Sequence, residues 1–245
     1  MSTTWTPNQA AKIAGAAYLL TYAPAFSWLF VYPKLFVTGD VARTASNIVA
    51  HTQLFRVTIM LDLLTVAGCV ILNVALYELL APVHRSFARL GAFWRLTEQA
   101  VYGATTVSSL VALSVLSGAG YLQAFEPHQL QALARLLISA QSTGFTVAML
   151  FLGFGSTAYM YVLVKSHYVP KVLALLLLAA STLCTLFFFV LILSPALVGA
   201  ASTAVRALPP VALVPLAIIA LPFLAFEIIL ALWLLVKGVH IPERT

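Results

Sequence analysis

Long runs of apolar residues, separated by short polar segments, dominate the hydrophobic pattern of this chain. Each run has the roughly 20 mostly apolar residues that a helix needs to cross a bilayer. None shows the alternation typical of barrel strands. The pattern predicts an all-α polytopic membrane helix bundle with six transmembrane helices in a single domain over residues 1–245. The crossings are placed near residues 13–33, 57–80, 93–117, 139–164, 171–193 and 211–236.

The connections between these crossings differ in character. Residues 34–56 are predicted to form a polar loop, residues 118–126 a second loop, and residues 194–210 a third that is rich in small residues and proline. Glu126-Pro127-His128 is suited to open an amphipathic segment before the fourth crossing. Pro222 is expected to bend the sixth helix, since proline removes a backbone donor.

The basic residues predict the orientation. An even number of crossings places both termini on one side of the membrane, and cytoplasmic segments carry an excess of Lys and Arg. We therefore predict cytoplasmic termini in a multi-pass protein of the inner, cytoplasmic membrane of the cell. The terminal side carries Lys12, Arg85, Arg89, Lys165, Lys171, Lys237 and Arg244, and the other side carries Lys34, Arg43, Arg56, Arg135 and Arg206.

Composition excludes several classes of protein. Hydrophobic residues make up 62% of the chain and charged residues 8%, whereas a soluble domain has about a quarter charged residues. This excludes a soluble enzyme, a disordered chain and a nucleic-acid-binding protein, so the net charge of +6 is interpreted as a topology signal. Cys69, Cys184 and the five histidines have no ligand spacing. We expect no metal and no cofactor, and the lipid bilayer as a partner.

Several short motifs occur together in a fixed order along the chain. They are Ala11-Lys12-Ile13-Ala14-Gly15, Thr44-Ala45-Ser46-Asn47-Ile48, Ala75-Leu76-Tyr77-Glu78-Leu79-Leu80, Phe151-Leu152-Gly153-Phe154-Gly155 and Lys165-Ser166-His167-Tyr168-Val169-Pro170. In this combination the chain resembles a bacterial family of six-helix integral membrane proteins classed as a domain of unknown function, over most of residues 10–195. The resemblance implies a fold and no activity.

The second predicted helix carries a single polar stripe. Spacings of three and four residues place its members on one helix face: Thr58, Asp62, Thr65, Cys69, Asn73 and Tyr77. Interhelical hydrogen bonding is an equally good explanation for the neutral members. Asp62 is the one charge of the stripe and therefore a candidate functional carboxyl. We expect it in an outer layer with Arg56, His51 or Gln141.

Two further carboxyls are expected at similar depth on different helices. With a rise of about 1.5 Å per residue, Glu98 lies roughly 13 Å and Glu227 roughly 15 Å from the cytoplasmic face. They can meet if the third and sixth helices are neighbours. Arg95 precedes Glu98 by three residues, so the alternative is that these two simply neutralise each other. Glu227 has no basic residue within two turns and is expected to stay un-ionised.

A set of polar and aromatic side chains could complete a substrate site. Aromatic faces attract positive charge, so a wall of rings would stabilise a cation, although such rings more often serve packing and interfacial anchoring. The candidate substrate-binding residues are Arg95, Asn73, Tyr77, Trp94, Tyr102, Phe188, Phe223 and Phe226.

These features favour an intramembrane acid/base enzyme with Asp62, Glu98 and Glu227 as catalytic residues. The substrate is expected to be a hydrophobic small molecule, most concretely an isoprenoid that cyclises after protonation. The chain is similar to small membrane-bound terpene cyclases in size, helix number and isolated carboxyls, without a shared motif. The alternatives are a proton-coupled small transporter, a lipid-binding protein and an accessory membrane subunit.

Overall fold

The fold is described from a computed structural model in residues 5–37, 40–117, 124–194 and 214–240, leaving aside the side chains of residues 28 and 214–221. The regular structure of these ranges is helical. The helices are α1 (Pro7–Leu20), α2 (Ala23–Phe26), α3 (Tyr32–Leu35), α4 (Val41–Ala50), α5 (Thr52–Leu80), α6 (Arg85–Leu116), α7 (Pro127–Ser166), α8 (Lys171–Leu193) and α9 (Val214–Val236), and a π-helical stretch, Ser27–Val31, lies between α2 and α3.

Five helical segments are long and apolar enough to cross a membrane, and they coincide with the first five predicted crossings. They are Pro7–Leu35, Thr52–Leu80, Arg85–Leu116, Pro127–Ser166 and Lys171–Leu193. The sixth predicted crossing coincides with α9, which has 23 residues and contains the shorter apolar helix Pro222–Val236. The all-α membrane helix bundle is therefore confirmed, and the side on which the termini lie stays a prediction.

The helices extend beyond the apolar runs. α6 has 32 residues and begins at Arg85 rather than near residue 93, because hydropathy marks only the apolar part of a helix that crosses the bilayer. The His84 Nδ1 atom accepts a hydrogen bond from the Phe87 backbone nitrogen at this start. α7 has 40 residues and begins at Pro127, so the amphipathic segment predicted there is continuous with the fourth crossing. α9 continues through Pro222.

The predicted polar loop over residues 34–56 is wrong, because it contains α4. The Asp40 carboxylate begins this helix by accepting a hydrogen bond from the Arg43 backbone nitrogen at 2.8 Å, which satisfies a donor that the first turn leaves open. Thr44, Ala45 and Ile48 are buried along one face of the helix. Arg43 and Ser46, two of the polar residues that suggested a loop, lie on the exposed face of this helix. Residues 118–123 and 195–210, within the other two predicted loops, lie outside the described residues.

The chain divides into two compact units. Unit 1 comprises residues 1–20, 68–99 and 147–245, and unit 2 comprises residues 21–67 and 100–146. The helices α5, α6 and α7 each contribute a segment to both units. The prediction of a single membrane domain is not tested by this division and stays a prediction.

In unit 1, α1 packs very closely against α9. A Cβ atom added to Gly15 would lie 2.6 Å from the Ala231 carbonyl oxygen and 2.8 Å from the Leu235 backbone nitrogen, so the absent side chain permits this approach. Leu72 and Tyr159 are among the fully buried residues of the core of this unit.

In unit 2, the core is formed by apolar side chains of several helices, Val31, Leu35, Ile48, Phe55, Ile59 and Leu113. α6 and α7 approach closely at Gly144, where an added Cβ atom would overlap the side chain of Thr105. Close helix contacts at small residues are typical of membrane proteins.

Candidate functional site

An ion pair lies inside unit 1. The Arg95 Nη1 and Glu98 Oε2 atoms are 2.8 Å apart on α6, and the two residues are only 4% and 2% exposed. Their spacing of three residues places both side chains on one helix face. The pair is therefore enclosed by protein.

Glu227 joins this pair from α9. It is 7% exposed and is close enough to interact electrostatically with both Arg95 and Glu98. The structure thus brings together the two carboxyls that the sequence placed at similar depth. No basic residue lies within two turns of Glu227 in the sequence, but Arg95 of α6 lies within electrostatic range of it. That Glu227 stays un-ionised remains a prediction. We call Arg95, Glu98 and Glu227 the buried triad.

Further side chains, which the sequence pattern does not place at this site, surround Arg95. Its Nη2 atom lies 3.9 Å from the Cys69 sulfur, which accepts a weak hydrogen bond. The Tyr18 hydroxyl of α1 lies within electrostatic range of Arg95 and Glu227. The polar stripe of α5 was a usable signal for Cys69, whereas nothing in the sequence places Tyr18 here.

Gln99 completes the surroundings of Glu98. Its Nε2 atom donates a hydrogen bond of 2.7 Å to Glu98 Oε1. Its own Oε1 atom is buried and has no hydrogen-bond partner among the described residues. A buried acceptor without a donor is costly, so this oxygen is an open position for a donor group beside Glu98.

Gly155 of α7 provides the space for the Arg95 side chain. A Cβ atom at this position would lie 2.7 Å from Arg95 Cγ and 3.1 Å from the Arg95 backbone nitrogen. Both distances are shorter than an ordinary van der Waals contact. The guanidinium therefore depends on a glycine on the neighbouring helix.

Asp62 forms a separate polar network in unit 2. The Tyr102 hydroxyl donates to Asp62 Oδ1 at 2.7 Å, and Gln141 Nε2 donates to Asp62 Oδ2 at 3.0 Å. Ser109 donates in turn to Gln141 Oε1. Asp62 is 5% exposed and has no ion pair among the residues that the structure describes. Its carboxyl is therefore bonded to neutral donors.

Of the three partners predicted for Asp62, the structure shows Gln141. Arg56 and His51 are exposed, and the His51 Nδ1 atom lies 3.1 Å from the Asn47 carbonyl oxygen. Tyr102, a candidate substrate-binding residue, is a further partner of Asp62, and its role in substrate binding stays a prediction.

Asn73 connects three helices. Its Nδ2 atom donates to the Ala92 carbonyl oxygen at 3.0 Å, and its Oδ1 atom accepts a bond of 2.6 Å from the Tyr159 hydroxyl. These bonds match the alternative of interhelical hydrogen bonding, and a substrate-binding role for Asn73 stays a prediction. Tyr77, one turn later on the stripe, packs half-buried against the core of unit 1.

The candidate aromatic residues do not all come together. Trp94 stacks on Phe151 and contacts Phe154, with ring centroids 5.6 and 5.3 Å apart. Phe188 makes an edge contact with Phe187. Phe226 packs against the core of unit 1, and Phe223 is half-buried.

A cavity of about 420 Å³ lies in unit 2, where apolar residues with Ser46 and Gln131 form its walls. The lining residues are Ala45, Ser46, Val49, Ala50, Val115, Leu116, Pro127, Leu130 and Gln131. The three candidate carboxyls are not among them. Within the described ranges, no group of three or more His, Cys, Asp or Glu side chains is arranged to hold a metal ion.

Comparison with known families identifies the chain. The profile of a family described as Domain of unknown function (DUF4386) matches residues 13–238. The chain belongs to this family. The match extends well beyond residue 195, where the resemblance in the motifs ended, so Glu227 lies inside the DUF4386 region. No curated protein and no solved structure matches the chain.

Proposed function

We propose that this DUF4386 protein is an intramembrane acid/base enzyme whose catalytic residues are Glu98 and Glu227. The observation that carries the proposal is that two buried carboxyls, from α6 and α9, lie within electrostatic range of the Arg95 guanidinium, which Glu98 contacts directly. Burying ionisable side chains inside a membrane costs free energy, and such residues usually mark functional sites.

Charge balance gives the two carboxyls different tasks. A triad with one guanidinium and two carboxylates would bury an uncompensated negative charge, which is unfavourable, whereas a proton on one carboxyl balances it. Glu98 is in direct contact with Arg95 and serves as the carboxylate. Glu227 then holds the proton and acts as the acid, as in other sites where two carboxyls differ in their surroundings.

The substrate class follows from the surroundings of the triad. The site lies between membrane helices, so the substrate is a lipid-soluble molecule, and isoprenoid cyclisation after protonation of an alkene or epoxide is the most concrete version. Trp94 precedes Arg95 on α6 and packs against Phe151 and Phe154 of α7, and aromatic rings of this kind can stabilise a developing cation. The inner membrane is the proposed location.

Conversion of farnesyl and geranylgeranyl terminal epoxides, followed by mass spectrometry, tests the proposal. Glu98→Gln and Glu227→Gln should each lower the rate by at least about 100-fold, since a positioned acid or base contributes this much. Glu78→Gln, at an exposed position, is the matched control and should keep the wild-type rate. Unchanged rates in both triad variants, with unchanged unfolding temperatures, would contradict the proposal.

Proton-coupled transport is the second candidate, and the Asp62 network favours it. This network holds a buried carboxyl without a buried cation, in hydrogen bonds with Tyr102 and Gln141, and such groups form proton relays in membrane proteins. Uptake of the same epoxides into proteoliposomes would distinguish the two functions. Gradient-dependent uptake that Asp62→Asn abolishes, without product formation, would replace the enzyme by a transporter.

A further inference from the structure

One group of exposed side chains in unit 1 is strongly basic. Its members are Lys12, Arg85, Arg89, Lys165, Lys171 and Lys237, which we call the basic rim. Among the described residues of unit 1, Glu78 is the exposed acid. The described part of unit 1 therefore has six exposed cations and one exposed carboxyl.

The chain connections bring the basic rim to one end of unit 1. α5 ends at Leu80 and α6 begins at Arg85, and α7 ends at Ser166 and α8 begins at Lys171, so two short turns lie at this end. The His240 backbone nitrogen donates to the Tyr168 carbonyl oxygen at 3.2 Å in the second turn.

The start of α1 lies at the same end. The Val239 backbone nitrogen, just after α9, donates to Asn8 Oδ1 at 3.1 Å. Gly238 has a φ of 68°, a left-handed conformation that favours glycine, and an added Cβ atom there would lie 2.6 Å from Asn8 Oδ1. One end of unit 1 therefore contains six helix termini. They are the last residues of α5, α7 and α9 and the first residues of α1, α6 and α8.

Aromatic side chains accompany the cations. Lys165 Nζ lies 5.7 Å from the centroid of the Tyr161 ring. This ring contacts Phe87 at 4.7 Å and His84 at 6.5 Å between centroids. Aromatic and basic residues together at the ends of membrane helices are typical of the headgroup level of a bilayer.

We propose that the basic rim binds the phosphate headgroups of anionic phospholipids. The positive charge of the basic rim is complementary to these headgroups. The rim lies at the ends of the membrane helices, where the headgroups of a bilayer are located. Clustered Lys and Arg residues at a membrane surface recognise anionic lipids. The proposal is independent of the triad chemistry, because none of the six residues belongs to the triad.

Native mass spectrometry of the detergent-purified protein with phosphatidylglycerol or phosphatidylcholine tests the proposal. The wild type should bind phosphatidylglycerol more tightly than phosphatidylcholine. Arg89→Gln/Lys165→Gln/Lys171→Gln should weaken this binding roughly 100-fold, because each cation near the surface contributes about fivefold. The matched control is Arg43→Gln/Arg56→Gln/Arg135→Gln, which removes three exposed cations of unit 2 and should keep the preference.

Three results would overturn the proposal. The first is equal affinity for both lipids, and the second is an equal loss of binding in the rim and control variants. The third is displacement of phosphatidylglycerol by inorganic phosphate at equal concentration, which would indicate a site for free phosphate. Each variant should unfold at the wild-type temperature in lipid-free detergent, since the substituted side chains are exposed.

Discussion

Arg95 is the residue on which the buried triad depends. Its guanidinium contacts Glu98 and Cys69, and its aliphatic chain lies against Gly155. A buried charge is tolerated only where partners compensate it. Space and charge around this one side chain can be tested separately.

The space is tested by Gly155→Ala. The added methyl group would overlap Arg95 Cγ and approach its backbone nitrogen, so we expect a loss of about 1–3 kcal/mol in the free energy of unfolding, the usual cost of overpacking. Reversible unfolding in mixed detergent micelles measures it.

Gly103→Ala is the matched control, because an added Cβ atom on this α6 residue would meet only Val66 methyl groups at 3.9 Å. It should be neutral or stabilise by up to about 1 kcal/mol, the helix propensity difference between glycine and alanine. Equal effects of the two substitutions would show that Gly155 does not accommodate Arg95.

The charge is tested by Arg95→Gln. This variant leaves Glu98 and Glu227 buried without a cation, so we expect it to lose about 3–5 kcal/mol, the usual cost of breaking a buried pair. In Arg95→Gln/Glu98→Gln, part of this loss should be recovered, because one of the orphaned carboxyls is removed as well. A double variant less stable than Arg95→Gln would contradict the ion pair.

At the scale of elements, the polar stripe of α5 has several partners. Asp62 bonds to Tyr102 and Gln141, Cys69 accepts from Arg95, and Asn73 bonds to Ala92 and Tyr159. The spacing of the stripe predicted that these side chains avoid lipid. It contained no information about their partners, because those lie on other helices.

The contact between α5 and α7 is tested by Tyr159→Phe. The substitution removes the hydroxyl that donates to Asn73 and keeps the ring. We expect a loss of about 0.6 kcal/mol and at most about 1.7 kcal/mol in the free energy of unfolding, the range for interhelical hydrogen bonds in membrane proteins. Tyr161→Phe, two residues later in α7, is the control and should have the smaller effect. If Tyr161→Phe has the larger effect, the Asn73 bond does not stabilise this contact.

The ends of the helices show where sequence patterns fail. Hydropathy located the apolar part of each crossing, because that part must match the bilayer. It missed α4 and the first turns of α6, because these segments are polar on one side or throughout, whereas Glu126-Pro127-His128 indicated the amphipathic start of α7. The Asp40 cap of α4 was the signal that a polar segment here is helical.

In the molecule as a whole, the sequence predicted one contact within a helix and one possible meeting of two carboxyls on different helices. The spacing of Arg95 and Glu98 predicted their contact, and depth predicted that Glu98 and Glu227 could meet. The sequence could not place Tyr18 and Gly155 in the site. The spacing of residues within a helix does not tell which helices are neighbours. The DUF4386 match over residues 13–238 includes the whole triad.

If Glu98 and Glu227 share the charge of Arg95, a double-mutant cycle should show that the two carboxyls are coupled. Each single substitution to Gln leaves Arg95 one carboxylate, whereas Glu98→Gln/Glu227→Gln leaves a buried guanidinium without either. The measurement is the free energy of unfolding in mixed micelles. Glu78→Gln/Glu227→Gln, which involves an exposed carboxyl, is the control and should be additive.

We predict that the loss in Glu98→Gln/Glu227→Gln exceeds the sum of the single losses by about 1 kcal/mol or more, within the range for residues in one network. Additivity within about 0.5 kcal/mol, as for independent sites, would contradict the shared guanidinium and with it the proposed acid/base centre.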